Sequence, residues 1–149
     1  MTKINPALPV RFRLIKIRRD QFATFKESYK KDHDFEIKYS GDIRISAKNH
    51  VVGVFTNFIF EQNGLPIMKY ANSCHFEIHK DDWGLQVKDQ NFILSKELGT
   101  HLLVLTVGTA RGMIHRDKPR WLGNILLPIL DVSRLIEEDL IYNISDEEE

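Results

Sequence analysis

The stretch HVVGVFTNFIFEQN, residues 50–63, decides the fold because it is apolar on both faces of an extended strand. Successive side chains of a strand point to opposite faces. The apolar positions of one face are Val52, Val54, Phe58 and Phe60. Those of the other face are Val51, Phe55 and Ile59. A strand of this kind needs cover on both sides, so the sequence predicts a central strand of a sheet.

The runs on either side of this strand are half-apolar. FEIKYSGDIRIS, residues 35–46, and IMKYANSCHFEIH, residues 67–79, both alternate apolar and polar side chains. The dipeptide Asn63-Gly64 accepts the positive φ angles of a tight hairpin turn between the second and third runs. The three runs therefore predict an antiparallel meander.

Another strand is predicted before the meander, in VRFRLIKIRR at residues 10–19. Its apolar period slips between Leu14 and Ile15, which indicates a β-bulge or a change of environment. The next segment, residues 20–34, is predicted as a polar crossover loop that carries three aromatic residues. They are Phe22, Phe25 and Tyr29. Aromatic side chains in such a loop need a surface to contact.

The periodicity changes to helical after residue 94. From Ser95 to about His115 the chain lacks proline and begins with an N-cap serine and an early glutamate, which predicts a long helix. ILDVSRLIEEDLI, residues 129–141, predicts a second, shorter helix. The predicted fold class is α+β, in a single domain over residues 1–149. A short flexible N-terminus (about 1–9) and an acidic tail (about 143–149) are expected at its ends.

The composition is that of an ordinary globular protein, with 42% hydrophobic and 28% charged residues. The 21 basic residues balance the 21 acidic ones, which argues against a nucleic-acid or membrane-surface partner. The first residues lack the apolar core of a signal peptide, and a single cysteine, Cys74, agrees with a reducing compartment. We therefore expect a cytoplasmic protein.

The stretch VGTARGMIH, residues 107–115, is the first place to look for chemistry. Gly108 and Gly112 do not have the spacing of a phosphate-binding P-loop, and no lysine follows them. Four residues apart on a helix, they share one face and favour close packing against another surface. Arg111 is interpreted as a surface or capping residue.

Histidine and cysteine are also weak candidates for chemistry. His75 and His79 are separated by about 13 Å along a strand, too far to share one metal ion. Cys74 and His75 point to opposite faces, so Cys74 is expected to be a buried thiol. We accordingly expect no enzyme activity, no metal and no cofactor.

What the sequence does contain is more apolar surface than one helix covers. Besides the central strand and the aromatic crossover, the connection after the long helix carries Trp121, Leu122 and Ile125. Exposed apolar patches of this kind indicate self-association or partner binding.

The order of these elements resembles the SecB family of export chaperones over about Val10 to Ile141. Ala110-Arg111 is similar to the Ala-Arg step in the long helix of that family. The family's Leu-x-Pro-hydrophobic-Asp/Asn-hydrophobic segment is matched by Leu126, Pro128, Ile129, Asp131 and Val132. The resemblance implies a four-stranded antiparallel sheet with a long and a short C-terminal helix packed on one face.

The resemblance also implies a function, that of a holdase that binds unfolded or pre-secretory polypeptides without ATP. By position, the residues that would bind clients are Phe22, Phe25, Tyr29, Trp121, Leu122 and Ile125. Those that would pack in a homodimer or homotetramer are Leu105, Gly108, Thr109 and Gly112. Export members are strongly acidic and dock the translocase motor, whereas this chain has no net charge, which argues against motor binding. The alternative of motor binding stays open, because Glu137–Asp139 and the terminal DEEE could supply a small acidic dock.

Two alternatives remain open. One is a chaperone dedicated to a single partner, such as the antitoxin of a toxin–antitoxin system. The other is a non-chaperone domain that binds a protein or small ligand, with Trp83 or Trp121 lining a pocket.

Overall fold

The main sheet is four-stranded and antiparallel, and from edge to edge it contains the first, fourth, third and second strands of the chain. It belongs to a computed structural model that describes residues 10–145. The flexible N-terminus predicted at about 1–9 and the end of the predicted acidic tail, 146–149, lie outside the described residues. The strands are β1 (Phe12–Thr24), β2 (Glu36–Ser46), β3 (Val51–Gln62) and β4 (Leu65–Ile78). The predicted antiparallel meander of β2, β3 and β4 is confirmed.

The two-faced apolar strand is an interior strand, as predicted. One face of β3 is fully buried, with Val52, Val54 and Phe60 at 0% exposure. On the opposite face Phe55 is half-buried under side chains of the sheet itself. The Arg44 guanidinium lies 4.6 Å from its ring centroid and the His75 ring lies 5.6 Å away. The side chains that cover Phe55 on this face therefore include the Arg44 guanidinium and the His75 imidazole.

The structure contains the predicted hairpin turn and the predicted bulge. Asn63 and Gly64 have φ angles of 51° and 78°, so the hairpin between β3 and β4 uses the left-handed backbone that this dipeptide accepts. The register between β1 and β4 shifts between Leu14 and Lys16, which confirms the predicted bulge. A second shift follows between Arg19 and Gln21.

The predicted crossover loop begins too early. β1 continues to Thr24, so Phe22 belongs to the strand and pairs with Tyr70 of β4. The polar residues Asp20 and Gln21 suggested a loop, but Asp20 is accommodated at the second register shift, and from Gln21 onward pairing with the long strand β4 satisfies the backbone groups and extends β1. The connection itself starts at Phe25 and contains a 3-10 turn at Lys26–Ser28.

The long helix α2 (Lys96–Asp117) lies across β3 and β4. Its N-cap is Ser95, whose side chain accepts a hydrogen bond from the Leu98 amide at 3.1 Å, as the sequence predicted. Near its start, a Cβ at Gly99 would lie 3.2 Å from Ile136 and 3.5 Å from Leu94. Glycine at this position lets the C-terminal segment approach the helix closely.

The predicted short C-terminal helix over residues 129–141 is wrong. This segment is irregular, with a turn after Asp131, and ends in β7 (Leu140–Asn143). The Asp131 carboxylate accepts hydrogen bonds from the amide and hydroxyl of Ser133, a local bond that competes with helix formation. Val132 and Ile136 are buried, so the apolar spacing that suggested a helix belongs to a turn packed on the core.

A second, three-stranded sheet contains β5 (Val87–Lys88), β6 (Asn91–Leu94) and β7, in that order. β7 pairs with β6, which requires the end of the chain to be extended. The short helix α1 (Lys80–Leu85) and β5 precede β6. Trp83 of α1 is 4% exposed and stacks on Phe92 at 3.9 Å, so it belongs to the core and does not line an open pocket.

Arg111 of α2 holds the connection that follows the helix. Its Nε donates to the Leu127 carbonyl at 2.7 Å and its Nη2 to the Pro128 carbonyl at 2.8 Å. Its neighbour Ala110 is fully buried against the sheet. The Ala-Arg step therefore combines close packing of the helix with capping of loop carbonyls.

We predict that Arg111→Met lowers the free energy of unfolding by about 1–3 kcal/mol, because two carbonyls lose a charged hydrogen-bond donor. Arg134→Met, an exposed arginine in the same C-terminal segment, should change it by less than about 0.5 kcal/mol. Urea denaturation followed by circular dichroism measures both values. Equal effects of the two substitutions would show that the Arg111 bonds add nothing to stability.

Candidate binding surface

A pair of aromatic side chains lies where the connection after β1 meets the end of α2. The ring centroids of Tyr29 and Trp121 are 5.3 Å apart. Tyr29 follows the 3-10 turn at Lys26–Ser28, and Trp121 lies in a second 3-10 turn, Arg120–Leu122, just beyond α2. Both side chains are partly exposed.

A buried glutamine fixes the Tyr29 side of this pair. The Gln62 side chain, at the end of β3, accepts a hydrogen bond from the Lys30 amide at 2.8 Å. Its amide donates to the carbonyls of Lys30 and His33 at 3.0 and 3.1 Å. Because an unpaired buried amide is unfavourable, Gln62 holds the connection against the sheet.

A second aromatic pair lies at the same end of α2. The Phe22 ring, partly exposed on the edge strand, is 5.5 Å from that of Tyr70. Tyr70 is buried and its hydroxyl donates to the Asp117 carboxylate at 2.5 Å, which joins β4 to the last residue of α2. Phe25, the third aromatic residue of this region, is held by the bond from its amide to the Ile67 carbonyl at 2.9 Å.

Asp117 is the ionic centre of this surface. It accepts hydrogen bonds from Arg116 at 2.8 Å, from Tyr70, and from Arg19 of β1 at 3.4 Å. The Arg116 guanidinium, more than any other group, lowers the pKa of Asp117 to about 2. Burial and the bond to this carboxylate raise the pKa of the Tyr70 hydroxyl.

The structure separates the six predicted client-binding residues into two groups. Phe22, Phe25, Tyr29 and Trp121 are partly exposed. Leu122 and Ile125 are 1% and 8% exposed and belong to the core beneath Trp121. Tyr70 and Asp117 support this surface from beneath and were not predicted from the sequence, where Tyr70 is one of several apolar strand residues and Asp117 a charge beyond the predicted helix.

The predicted packing stripe lies on the outer face of α2. A Cβ added at Gly108 or Gly112 would meet nothing within 4 Å, so no other part of residues 10–145 packs against the helix at these two positions. Leu105 is 39% exposed and its neighbour Val104 51%. Thr109 is partly buried and its hydroxyl donates to the Leu105 carbonyl at 2.9 Å.

Other candidate chemistry has structural explanations. Cys74 is fully buried, as predicted, and burial raises the pKa of its thiol. Burial lowers the pKa of His75, whose ring packs against Phe55. Within residues 10–145 no cluster of three or more His, Cys, Asp or Glu side chains is arranged to hold a metal ion. None of the helices over that range combines the length and apolar character needed to cross a membrane.

No family model and no curated protein matches the sequence. Among solved structures, the chain is similar to a SecB-like chaperone of Mycobacterium tuberculosis, Rv1957, in complex with a ChAD peptide from the HigA1 antitoxin. The TM-score is 0.53 and the identity 15%, over 81% of this chain and 88% of that one. The sheet and long helix therefore form a SecB-like fold, as the resemblance in sequence implied.

We predict that the Asp117 carboxylate stabilises the fold in a pH-dependent way. Its pKa is about 2 in the folded protein against an ordinary value of 3.8, so the stabilisation is complete above the ordinary value. It is lost as the pH falls from 3.8 towards 2. Asp117→Asn should lower the free energy of unfolding at neutral pH and flatten its decline over this acidic range.

Chemical denaturation at a series of pH values tests this prediction. Glu138→Gln, at an exposed position of the C-terminal segment, is the control and should leave the pH dependence unchanged. The prediction is wrong if Asp117→Asn retains the wild-type decline.

Proposed function

We propose that this protein is an ATP-independent holdase chaperone that binds unfolded polypeptides and has no enzyme activity. The observation that carries the proposal is the pair Tyr29–Trp121, which, with Phe22 and Phe25 nearby, exposes aromatic surface at one end of a SecB-like fold. Unfolded chains expose apolar side chains and unpaired backbone, and aromatic surfaces bind the former without an energy source.

The aromatic side chains are well supported for this role. Leu122 and Ile125 lie beneath Trp121 in the core, and Gln62 holds the segment of Tyr29. A side chain held in one place loses little conformational entropy on binding. In this proposal Leu122 and Ile125 support the surface, while Phe22, Phe25, Tyr29 and Trp121 contact the client.

We further propose that the protein is a homo-oligomer that packs through the outer face of α2. Gly108 and Gly112 leave room for another surface, and Val104 and Leu105 supply exposed apolar area beside them. Small residues on one helix face allow close approach of a second helix. A dimer and a tetramer both fit this face.

The proposed chaperone binds either many different clients or a single dedicated partner. The similar M. tuberculosis chaperone was solved with a peptide from an antitoxin, and this observation favours a dedicated partner as the second candidate function. The translocase motor binds the acidic surface of export members of the SecB family. Because this chain has no net charge, we do not extend the proposal to export. We place the protein in the cytoplasm, where nascent chains and an antitoxin would both be met.

Truncation of the aromatic pair should weaken the holding of unfolded clients. We expect Tyr29→Ala with Trp121→Ala to weaken suppression of aggregation of a chemically unfolded client by at least about tenfold, since buried aromatic anchors contribute about 2 kcal/mol or more. Light scattering, with the protein and the client at stoichiometric ratios, measures the suppression of aggregation. Leu85→Ala, which truncates a side chain 74% exposed on α1, is the control and should suppress like the wild type. A wild-type protein that fails to slow aggregation would contradict the holdase proposal.

Filling the glycine face should disrupt assembly without unfolding the protomer. Gly108→Gln adds a side chain where nothing lies within 4 Å and raises helix propensity, so helical content should persist while the oligomeric mass falls. Gly84→Gln, in equally open space on α1, is the matched control. Multi-angle light scattering gives the masses. A wild-type monomer, or a mass unaffected by Gly108→Gln, would rule out this interface.

A further inference from the structure

We propose that the aromatic surface selects acidic client segments, in which carboxylates flank aromatic or aliphatic residues. This inference rests on the proposed holdase function and names its client class. It comes from the charges around the rings at the end of α2, where cations outnumber acids although the whole chain has 21 basic and 21 acidic residues.

Cations lie over or beside the exposed aromatic rings. The Arg19 guanidinium is 5.3 Å from the centroid of Phe22, and the Lys69 ammonium is 6.0 Å from that of Phe25. Exposed Arg120 directly precedes Trp121 in its 3-10 turn. A client side chain that contacts these rings therefore brings its neighbours next to positive groups.

The Asp117 carboxylate offsets only one of the two positive charges that it contacts, those of Arg19 and Arg116. It is 10% exposed and already accepts hydrogen bonds from Tyr70, Arg19 and two nitrogens of Arg116. Arg19 and Arg116 are 48% and 69% exposed and share this one carboxylate. Each guanidinium has five N–H donors, so several remain for a client carboxylate.

The connection from β1 adds further cations near Tyr29. Lys26, Lys30 and Lys31 are exposed there with Glu27 between them, while the acids Asp32 and Asp34 follow at the far end of the connection. An acidic group does exist nearby, at the β3–β4 hairpin, where Asp32, Asp34, Glu36 and Glu61 line a cavity of about 500 Å³. It marks the limit of the positive surface, so the acidic part of a bound client should face the end of α2.

Two peptides of the same length and the same aromatic and aliphatic core, one flanked by Asp and the other by Lys, test the proposal by fluorescence anisotropy. We expect the acidic peptide to bind at least about tenfold more tightly, the effect of one charge-assisted hydrogen bond. The difference should shrink between about 0.01 M and about 1 M salt, as the screening length falls from about 30 Å to about 3 Å.

A matched pair of double variants assigns the preference to this surface. Lys26→Gln with Arg120→Gln removes two cations beside Tyr29 and Trp121 and should reduce the preference for the acidic peptide severalfold. Lys48→Gln with Lys88→Gln removes the same charge elsewhere and should preserve it. Lys48 lies in the β2–β3 turn and Lys88 in β5, both away from the end of α2.

The possible outcomes separate the two proposals. Equal affinities for the two peptides, or tighter binding of the basic one, overturn the charge preference and leave the holdase function standing. If both double variants lose the preference for the acidic peptide equally, that preference does not arise from this surface. If neither peptide binds, the holdase proposal fails and the inference fails with it.

Discussion

The packing of α2 across β3 and β4 is the interaction on which the rest of the structure depends. It buries the apolar face of the central strands, and each buried side chain contributes on the order of 1.5–3 kcal/mol. Inside this contact, Asn72 of β4 accepts a hydrogen bond from Thr56 and donates to the Thr106 carbonyl of the helix at 3.3 Å. Because leaving such a buried amide unpaired costs about 1–3 kcal/mol, the helix has one favourable register on the sheet. That register places Asp117 against Tyr70.

The candidate surface is a consequence of this fixed helix end. Two parts of the chain that are distant in sequence meet there: the end of β1 with the connection that follows it, and the 3-10 turn after α2. Tyr29 and Trp121 meet because Gln62 holds the segment of the first and the second packs against the buried core, which includes Leu122 and Ile125. The exposed arginines and lysines around the rings give this part of the surface a positive charge that the overall composition does not reveal. Aromatic contact would supply affinity for an unfolded chain, and charge would supply selectivity.

Much of the fold could be predicted from the sequence because its signals are local. Alternation of apolar residues identified the strands of the meander, Asn63-Gly64 identified their turn, and Ser95 identified the start of the helix. The candidate site was less predictable. Leu122 and Ile125 share the apolar character of Trp121, and only packing shows that they are buried. The role of Tyr70 depends on a contact with Asp117, 47 positions away, that no local pattern carries.

The sequence by itself determined the central two-faced strand, the bulge after Leu14, the long helix and the glycine face, since backbone preference and hydrophobic period act over a few residues. The tertiary structure alone decided the end of the chain. Val132 and Ile136 have helical spacing, yet the Asp131–Ser133 bonds and the pairing of β7 with β6 favour a turn and a strand. The tertiary structure also decided which exposed cations surround the aromatic pair, because long-range packing brings together charges that are scattered along the chain.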